Sequence, residues 1–339
     1  MSSVGDQVTL DIRNLHVHFR IYEGISRVLD GVNLYVKKGE RVGLAGETGC
    51  GKSLTMKMVM GMIKVPPAII PSGEVLLNGK NVMIMGDNEL MKLKGKEVSM
   101  VFQDPMNALN PVFSIRDQFF DVIRYAGKSR KESKNISKDQ LRDIAVQGLR
   151  EVRLHDPERI LNNYPMELSG GMSQRVLIAM ALVNKPGFLI ADEPGTALDV
   201  TIQAQILKLL KDLVRIRGIS ILLITHNLGV IQTTTERVYI MYGGQIVETA
   251  PTAQLFKDPK HPYTRGLLAS VPRLTGGEIA EGIRGTVPDY TEAPPGCRFN
   301  PRCPHVMDVC QGRKPPLVEV GEEHSVGCYL YTQGNGAHG

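Results

Sequence analysis

No stretch of this 339-residue chain approaches the ~18–20 consecutive apolar residues that a membrane-spanning helix needs. The buried-looking runs Phe188–Ala191 and Ile219–Thr225 have only the length of core strands. The first residues carry Asp6 and Asp11 and show no basic region leading into an apolar one, so a secretory leader is not expected. A strong excess of positive or negative charge is lacking as well. Forty Lys+Arg against 35 Asp+Glu leave a formal net charge of +5, too mild to argue for nucleic acid by itself. There is no internal repeat. Cysteine is sparse and uneven: Cys50 stands alone, while Cys297, Cys303, Cys310 and Cys328 crowd the C-terminal end. In a long chain expected in the cytosol, such crowding suggests metal more than disulfides. What is present is ordinary globular material, 42% hydrophobic and 22% charged, enough for one large α/β domain with an appendage or for two domains.

Alternation predicts strands over Val8–Phe19 and Val28–Val36, joined near Glu23-Gly24. A strand Arg41–Ala45 leads through a glycine-rich turn into a helix from about Lys52 to Ile63. Strands Glu74–Leu77 and Val98–Phe102 follow. From about Asp104 to Lys185 the period turns helical, with Ser114–Tyr125 and Leu141–Val152 clearest. Between those two, the polar and basic run Lys128–Lys138 reads as a solvated loop. Strand Phe188–Ala191, helix Val200–Arg217, strand Ile219–Thr225 and strands near Arg237–Tyr242 and Gln245–Thr249 restore the alternation. Such an order implies a mainly parallel sheet covered by helices. After Pro251 the pattern weakens into a proline-rich, loop-rich module, and Thr332–Gly339 reads as a frayed tail.

Gly46-Glu47-Thr48-Gly49-Cys50-Gly51-Lys52-Ser53 fits Gly-x4-Gly-Lys-Ser between an expected strand and an expected helix. Glycines let successive backbone N–H groups curl around phosphate oxygens, and the following helix N-terminus favours negative charge. Lys52 reaches the β- and γ-phosphates and the Ser53 hydroxyl ligates Mg²⁺, with Leu54 completing the loop. By residue usage the pattern arises by chance in roughly one per cent of chains this long. Cys50 reads as a small-residue position in this loop, not a nucleophile. The strand Phe188–Ala191 ends in Asp192-Glu193. Strand ends of this kind carry ligands in open α/β sheets. Asp192 suits Mg²⁺ held through water, and Glu193 suits orienting or deprotonating an attacking water. Two carboxylates there are often only a solvated turn, but beside a phosphate loop the odds reverse. Gln103, after its strand, suits Mg²⁺ and water; His226, after another, suits sensing a γ-phosphate.

Leu168-Ser169-Gly170-Gly171-Met172-Ser173-Gln174-Arg175 resembles the signature motif of ABC-type ATPases. Gln103 is similar to that family's Q-loop, Asp192-Glu193 to its Walker B end, Ala197-Leu198-Asp199 to its D-loop and His226 to its switch histidine, in order across about residues 8–250. Phe102–Pro111, His261-Pro262-Tyr263-Thr264-Arg265 and the late cysteines narrow the resemblance to the oligopeptide/dipeptide importer subfamily. One departure is Gly195, where that subfamily usually has Thr. A small effect on the loop is expected, not lost catalysis.

The resemblance implies an α/β P-loop NTPase fold with a mixed sheet core, a helical insertion and a C-terminal metal-cluster module. Residues 1–255 are expected to be the nucleotide-binding domain (helical subdomain about 104–185), 256–330 the four-cysteine module and 331–339 a tail. It implies ATP and Mg²⁺, with Lys52, Ser53, Gln103, Asp192, Glu193 and His226 as half of a catalytic site. Ser169, Gly170, Gly171 and Gln174 would serve the nucleotide of a second ATPase, in a heterodimer. Residues near Asp104–Pro111 would pass the motion to two membrane permeases, and an external binding protein would deliver solute. The chain would sit peripherally on the cytoplasmic face of the membrane. Phe19 aligns with the adenine-stacking position, with Tyr22 its rival. A soluble ABC ATPase of nucleic-acid repair or translation is the alternative, disfavoured by the mild charge and the missing basic/aromatic interleaving. A redox-regulated binding module without hydrolysis is weakened by the intact Asp192-Glu193 pair.

Structural zinc favours Cys-x2–4-Cys pairs, which Cys297-x5-Cys303-x6-Cys310-x17-Cys328 lacks. Four spaced thiolates suit a [4Fe-4S] cluster better, as the subfamily resemblance also implies. Zn²⁺ and free or disulfide cysteines remain the alternatives, and stapling a weakly patterned module is the expected role. His305 and His324 read as bystanders.

Overall fold

A computed structural model of the chain describes residues 8–126, 136–196, 198–270 and 282–332. Most of the polar run Lys128–Lys138, the D-loop residue Ala197 and residues 333–339 of the expected tail lie outside the described residues. The chain divides into two units: Met1–Val36, Arg41–Met83 and Ile224–Gly339 form the first, Lys37–Glu40 and Ile84–Leu223 the second. Among the described residues no helix is long and apolar enough to cross a membrane.

The first unit contains two sheets. Strands Val8–Ile21 and Gly24–Lys37 are longer than the alternation suggested and belong to a five-stranded sheet. In it Val8–Ile21 runs antiparallel to Glu74–Leu77, with Leu10 opposite Leu77 and Ile12 opposite Val75. The alternation slips by one residue on each long strand. Leu10 and Ile12 are followed into the core by Leu15 and Val17, and Leu29 by Val32. The slips fall at Asn14 (φ 44°) and Gly31 (φ 68°), residues that tolerate the left-handed region. The second sheet sets Arg41–Ala45 parallel to Arg237–Tyr242, which pairs antiparallel with Gln245–Pro251.

The second sheet is mixed, as the resemblance implied and where element order alone suggested mainly parallel pairing, and the C-terminal region is more regular than its prolines suggested. Helices Thr252–Lys257 and Pro262–Ala269 follow the sheet, and a hairpin of Val318–Gly321 and His324–Val326 extends it. Glu248, fully buried, ties these pieces together by accepting from Lys260 N (2.7 Å), His261 N (2.9 Å) and His324 Nε2 (2.7 Å). Tyr242, Tyr263 and Phe299 stack in one buried group with ring centroids 4.6–5.4 Å apart. Such pairs add about 0.5–1.5 kcal/mol each beyond the area they bury.

In the second unit Val98–Val101 runs parallel to Phe188–Asp192, and Ser220–Thr225 is the next strand beyond. The last two are buried throughout, as continuous apolar runs require. Capping chemistry starts the helices: Ser114 opens Ile115–Tyr125, Ser137 opens Lys138–Glu151, Ser169 opens Gly170–Leu182 and Asp199 opens Val200–Arg217.

Candidate nucleotide site and cysteine pocket

The phosphate loop sits where expected, between the strand Arg41–Ala45 and the helix Lys52–Val59. That helix ends short of Ile63 because Gly61 takes a left-handed φ of 56°. Two of the loop glycines are demanded by packing. A Cβ on Gly46 would lie 2.1 Å from the Met241 carbonyl oxygen, and one on Gly51 (φ 105°) 2.6 Å from Leu29 Cδ2. Lys52 is buried, and its Nζ donates to the Gly46 and Glu47 carbonyls at 2.8 Å each. The cation is thus held inside the loop it serves. Thr48 and Gly49 are exposed, Ser53 and Leu54 half-buried. Cys50 is buried, and burial raises its thiol despite nearby Lys52, which fits a packing role. In the same unit Phe19 is half-buried opposite Ala68, Tyr22 is exposed in the turn between the long strands, and His226 is exposed after its strand.

The second unit holds Gln103, the signature residues and the acidic pair. Asp192 is buried at its strand end. Glu193 begins a turn in which its carbonyl accepts from Thr196 N at 3.2 Å, with Pro194 and Gly195 (φ 111°) central. Proline followed by a glycine at positive φ is the chemistry of a type II turn. The Glu193 carboxylate is held from two sides: Oε2 accepts from Gln103 Nε2 at 3.2 Å and from Thr196 Oγ1 at 3.1 Å. Ser169 Oγ accepts from Met172 N at 3.4 Å at the start of the signature helix. Gly170 and Gly171 pack closely on Leu198 and Ile202, whose side chains a Cβ would meet at 2.9 Å in each case. Gln174 is fully buried in the helix behind them.

All four late cysteines line one pocket, together with His261, Phe299 and His305. None is in a disulfide. Cys297 N donates to Cys310 O at 2.8 Å and His305 N to Cys303 Sγ at 3.4 Å. Burial, with a smaller push from the three neighbouring thiols, carries Cys297 up to about 12. Among the described residues no group of three or more His, Cys, Asp or Glu is arranged to hold a single metal ion. The pocket does contain one orphan donor. His261 is buried and accepts from Tyr263 N through Nδ1 at 3.0 Å, which leaves its proton on Nε2, and Nε2 has no partner among the described residues. Four thiols and one unsatisfied N–H fit a group that takes thiolate ligands and accepts hydrogen bonds. His324 is committed elsewhere, to Glu248.

Three contacting residues, Thr196, Arg302 and Tyr290, escape sequence reasoning, and a fourth, Tyr263, stands out only within the subfamily motif and without a contact assigned to it. Thr196 reads as an ordinary turn residue. Arg302, Tyr263 and Tyr290 lie more than 200 positions from the loop they touch: Arg302 pairs with Glu47, the Tyr263 hydroxyl accepts from Glu47 N at 2.9 Å, and the Tyr290 hydroxyl donates to Gly49 O at 2.8 Å. No local pattern encodes contacts of that span.

Comparison with known proteins gives the family. The profile of the ABC transporter family matches residues 29–196, and that of the oligopeptide/dipeptide transporter C-terminal region matches residues 247–310. The oligopeptide transport ATP-binding protein AppD of Bacillus subtilis (strain 168) is 46% identical over 327 residues, 96% of this chain and 97% of the relative. The dipeptide transport ATP-binding protein DppD of the same organism is 43% identical, covering 96% of this chain and 95% of the relative. Among solved structures, the dimeric post-hydrolysis state of the ATP-binding cassette MJ0796, bound to ADP and Pi, superposes with a TM-score of 0.62 at 28% identity. It covers 72% of this chain and 98% of that one.

Proposed function

The chain belongs to the ATP-binding subunits of the oligopeptide/dipeptide ABC transporter family, and on that premise we propose how its residues divide the work of hydrolysis. It is an ATPase whose hydrolysis drives peptide import, working with a second ATPase subunit and with membrane permeases. The amides of residues 46–53 and the Lys52 cation would hold the triphosphate, and Ser53 and Gln103 would ligate Mg²⁺, with Asp192 holding it through water. Bound Mg²⁺ supplies charge neutralisation at the phosphate oxygens. Glu193 orients the attacking water and takes its proton, and His226 senses the γ-phosphate. Ser169, Gly170 and Gly171 face the partner's nucleotide; Gln174, buried behind them, acts by supporting that turn. Phe19 or Tyr22 stacks on adenine.

The observation that carries this reading is the Glu193 carboxylate held by Gln103 and Thr196 at the end of a buried strand. Phosphoryl transfer rests on positioning and charge stabilisation, and a doubly anchored carboxylate is positioned before substrate arrives. The partner ATPase is a different chain, peptides arrive through an extracytoplasmic binding protein, and the subunit sits peripherally on the cytoplasmic face of the membrane. Residues 1–255 bind nucleotide and 256–330 form the cysteine module. In that module Cys297, Cys303, Cys310 and Cys328 would hold a [4Fe-4S] cluster, and the unpartnered His261 Nε2–H would be available to donate to it. The cluster supplies cross-linking between segments otherwise joined only by loops. Reconstitution with its permeases in lipid vesicles tests the function: peptide uptake requires ATP, and Lys52→Ala abolishes uptake and hydrolysis together. Uptake that survives Lys52→Ala contradicts the reading.

A further inference from the structure

A loop that receives a triphosphate is a poor place for a carboxylate, yet its second residue is Glu47. Like charges so close in a partly dry site repel strongly. The structure answers that charge with one residue. Arg302 grips Glu47 as a fork, Nη1 to Oε2 at 2.7 Å and Nη2 to Oε1 at 3.2 Å. The Arg302 side chain is 5% exposed, against 26% for Glu47. Its other donors are used too: Nη1 to the Tyr242 hydroxyl at 3.3 Å, Nη2 to Ile283 O at 3.0 Å and Nε to Arg284 O at 2.8 Å. All five N–H groups of the guanidinium therefore have acceptors. A surface arginine swinging onto a chance carboxylate does not reach that state.

The same loop is tied at two further points, by Tyr263 at Glu47 N and by Tyr290 at Gly49 O. All three tethers come from the segment that holds the cysteines, and Arg302 directly precedes Cys303. We propose that Arg302 is a positioning residue of the nucleotide site: it neutralises Glu47 and fixes the loop's shape, so the cysteine module sets the affinity for Mg²⁺–ATP. The inference rests on residues 46–53 being the phosphate loop. A purely structural ion pair would stabilise the fold without changing nucleotide affinity once folded. A positioning pair acts on Kd and KM and leaves kcat at saturation nearly unchanged.

The test is a charge-pair cycle on the full chain, read as the Kd for Mg²⁺–AMP-PNP by equilibrium dialysis and as the KM against kcat split. Lys52→Ala serves as control. Arg302→Gln leaves the Glu47 charge unanswered and raises Kd roughly tenfold, a discounted effect for a partly exposed pair. Adding Glu47→Gln to Arg302→Gln brings Kd back to within about threefold of wild type, because the offending charge is gone. Arg302→Lys keeps the charge but loses the fork, and falls between. Unchanged Kd in Arg302→Gln, no recovery in the double variant, or a loss confined to kcat overturns the inference. Where Arg302→Gln does not fold, Arg302→Lys carries the test, and a wild-type Kd there is equally contrary. Wild-type chain that fails to bind, or Lys52→Ala that binds as well as wild type, refutes the phosphate-loop reading instead.

Discussion

Gly195→Thr installs the residue that the importer subfamily usually carries at this position, and the structure gives it a definite cost. Gly195 has φ 111°, and its oxygen accepts from Leu198 N at 3.0 Å while the preceding turn closes Thr196 N onto Glu193 O. Space is not the obstacle: a Cβ would first meet Gln203 Cγ at 3.3 Å and Gln203 Cα at 3.6 Å. The obstacle is the backbone. A β-branched residue held at positive φ costs about 1–2 kcal/mol. For a unit of this size that corresponds to a fall in melting temperature of roughly 3–8 °C. If the chain escapes by flipping the turn, Thr196 leaves Glu193, and turnover falls while ATP affinity stays. Differential scanning fluorimetry and steady-state ATPase on the same preparation separate the two outcomes. Equal melting temperature and equal kcat in Gly195→Thr would show that this turn does not need glycine.

Thr196→Val removes one hydrogen bond to Glu193 Oε2 and is expected to lower kcat about three- to tenfold with KM unchanged. Steady-state kinetics check this. Glu248→Leu strands the donors on Lys260, His261 and His324, and a denaturant titration should show a loss of about 3–5 kcal/mol. Anaerobically purified chain should carry iron and absorb near ~400 nm, and Cys303→Ser should lose both. Colourless, iron-free wild type counts against the cluster.

The parts legible in the sequence were those whose physics is local. The helix Val200–Arg217 has an Asp199 cap, a helical period and Gly218 at φ 64° to end it, and its bounds could be read directly. The phosphate loop and the acidic strand end carry their chemistry in consecutive residues. The hairpin Val318–Gly321 with His324–Val326 was not legible, since its first strand has no buried face and its second, three residues long and buried only through His324 and Val326, is too short to show alternation. The slips at Asn14 and Gly31 lengthened both early strands beyond what strict alternation allows. Arg302 lay hidden for another reason: its role depends on a residue 255 positions away, and only the folded chain brings a cation to Glu47.

This polypeptide is expected to complete its nucleotide cage only with a second ATPase. The direct measurement is the molar mass, by light scattering, of the Glu193→Gln chain mixed with its partner ATPase, with and without Mg²⁺–ATP. Glu193→Gln binds ATP but turns it over at least roughly a hundredfold more slowly, so the closed state should accumulate. The expected result is a two-chain species that forms only with ATP and is lost when the Ser169–Gly171 turn is altered. A single chain that keeps ATP bound at saturation with no change in mass would contradict it.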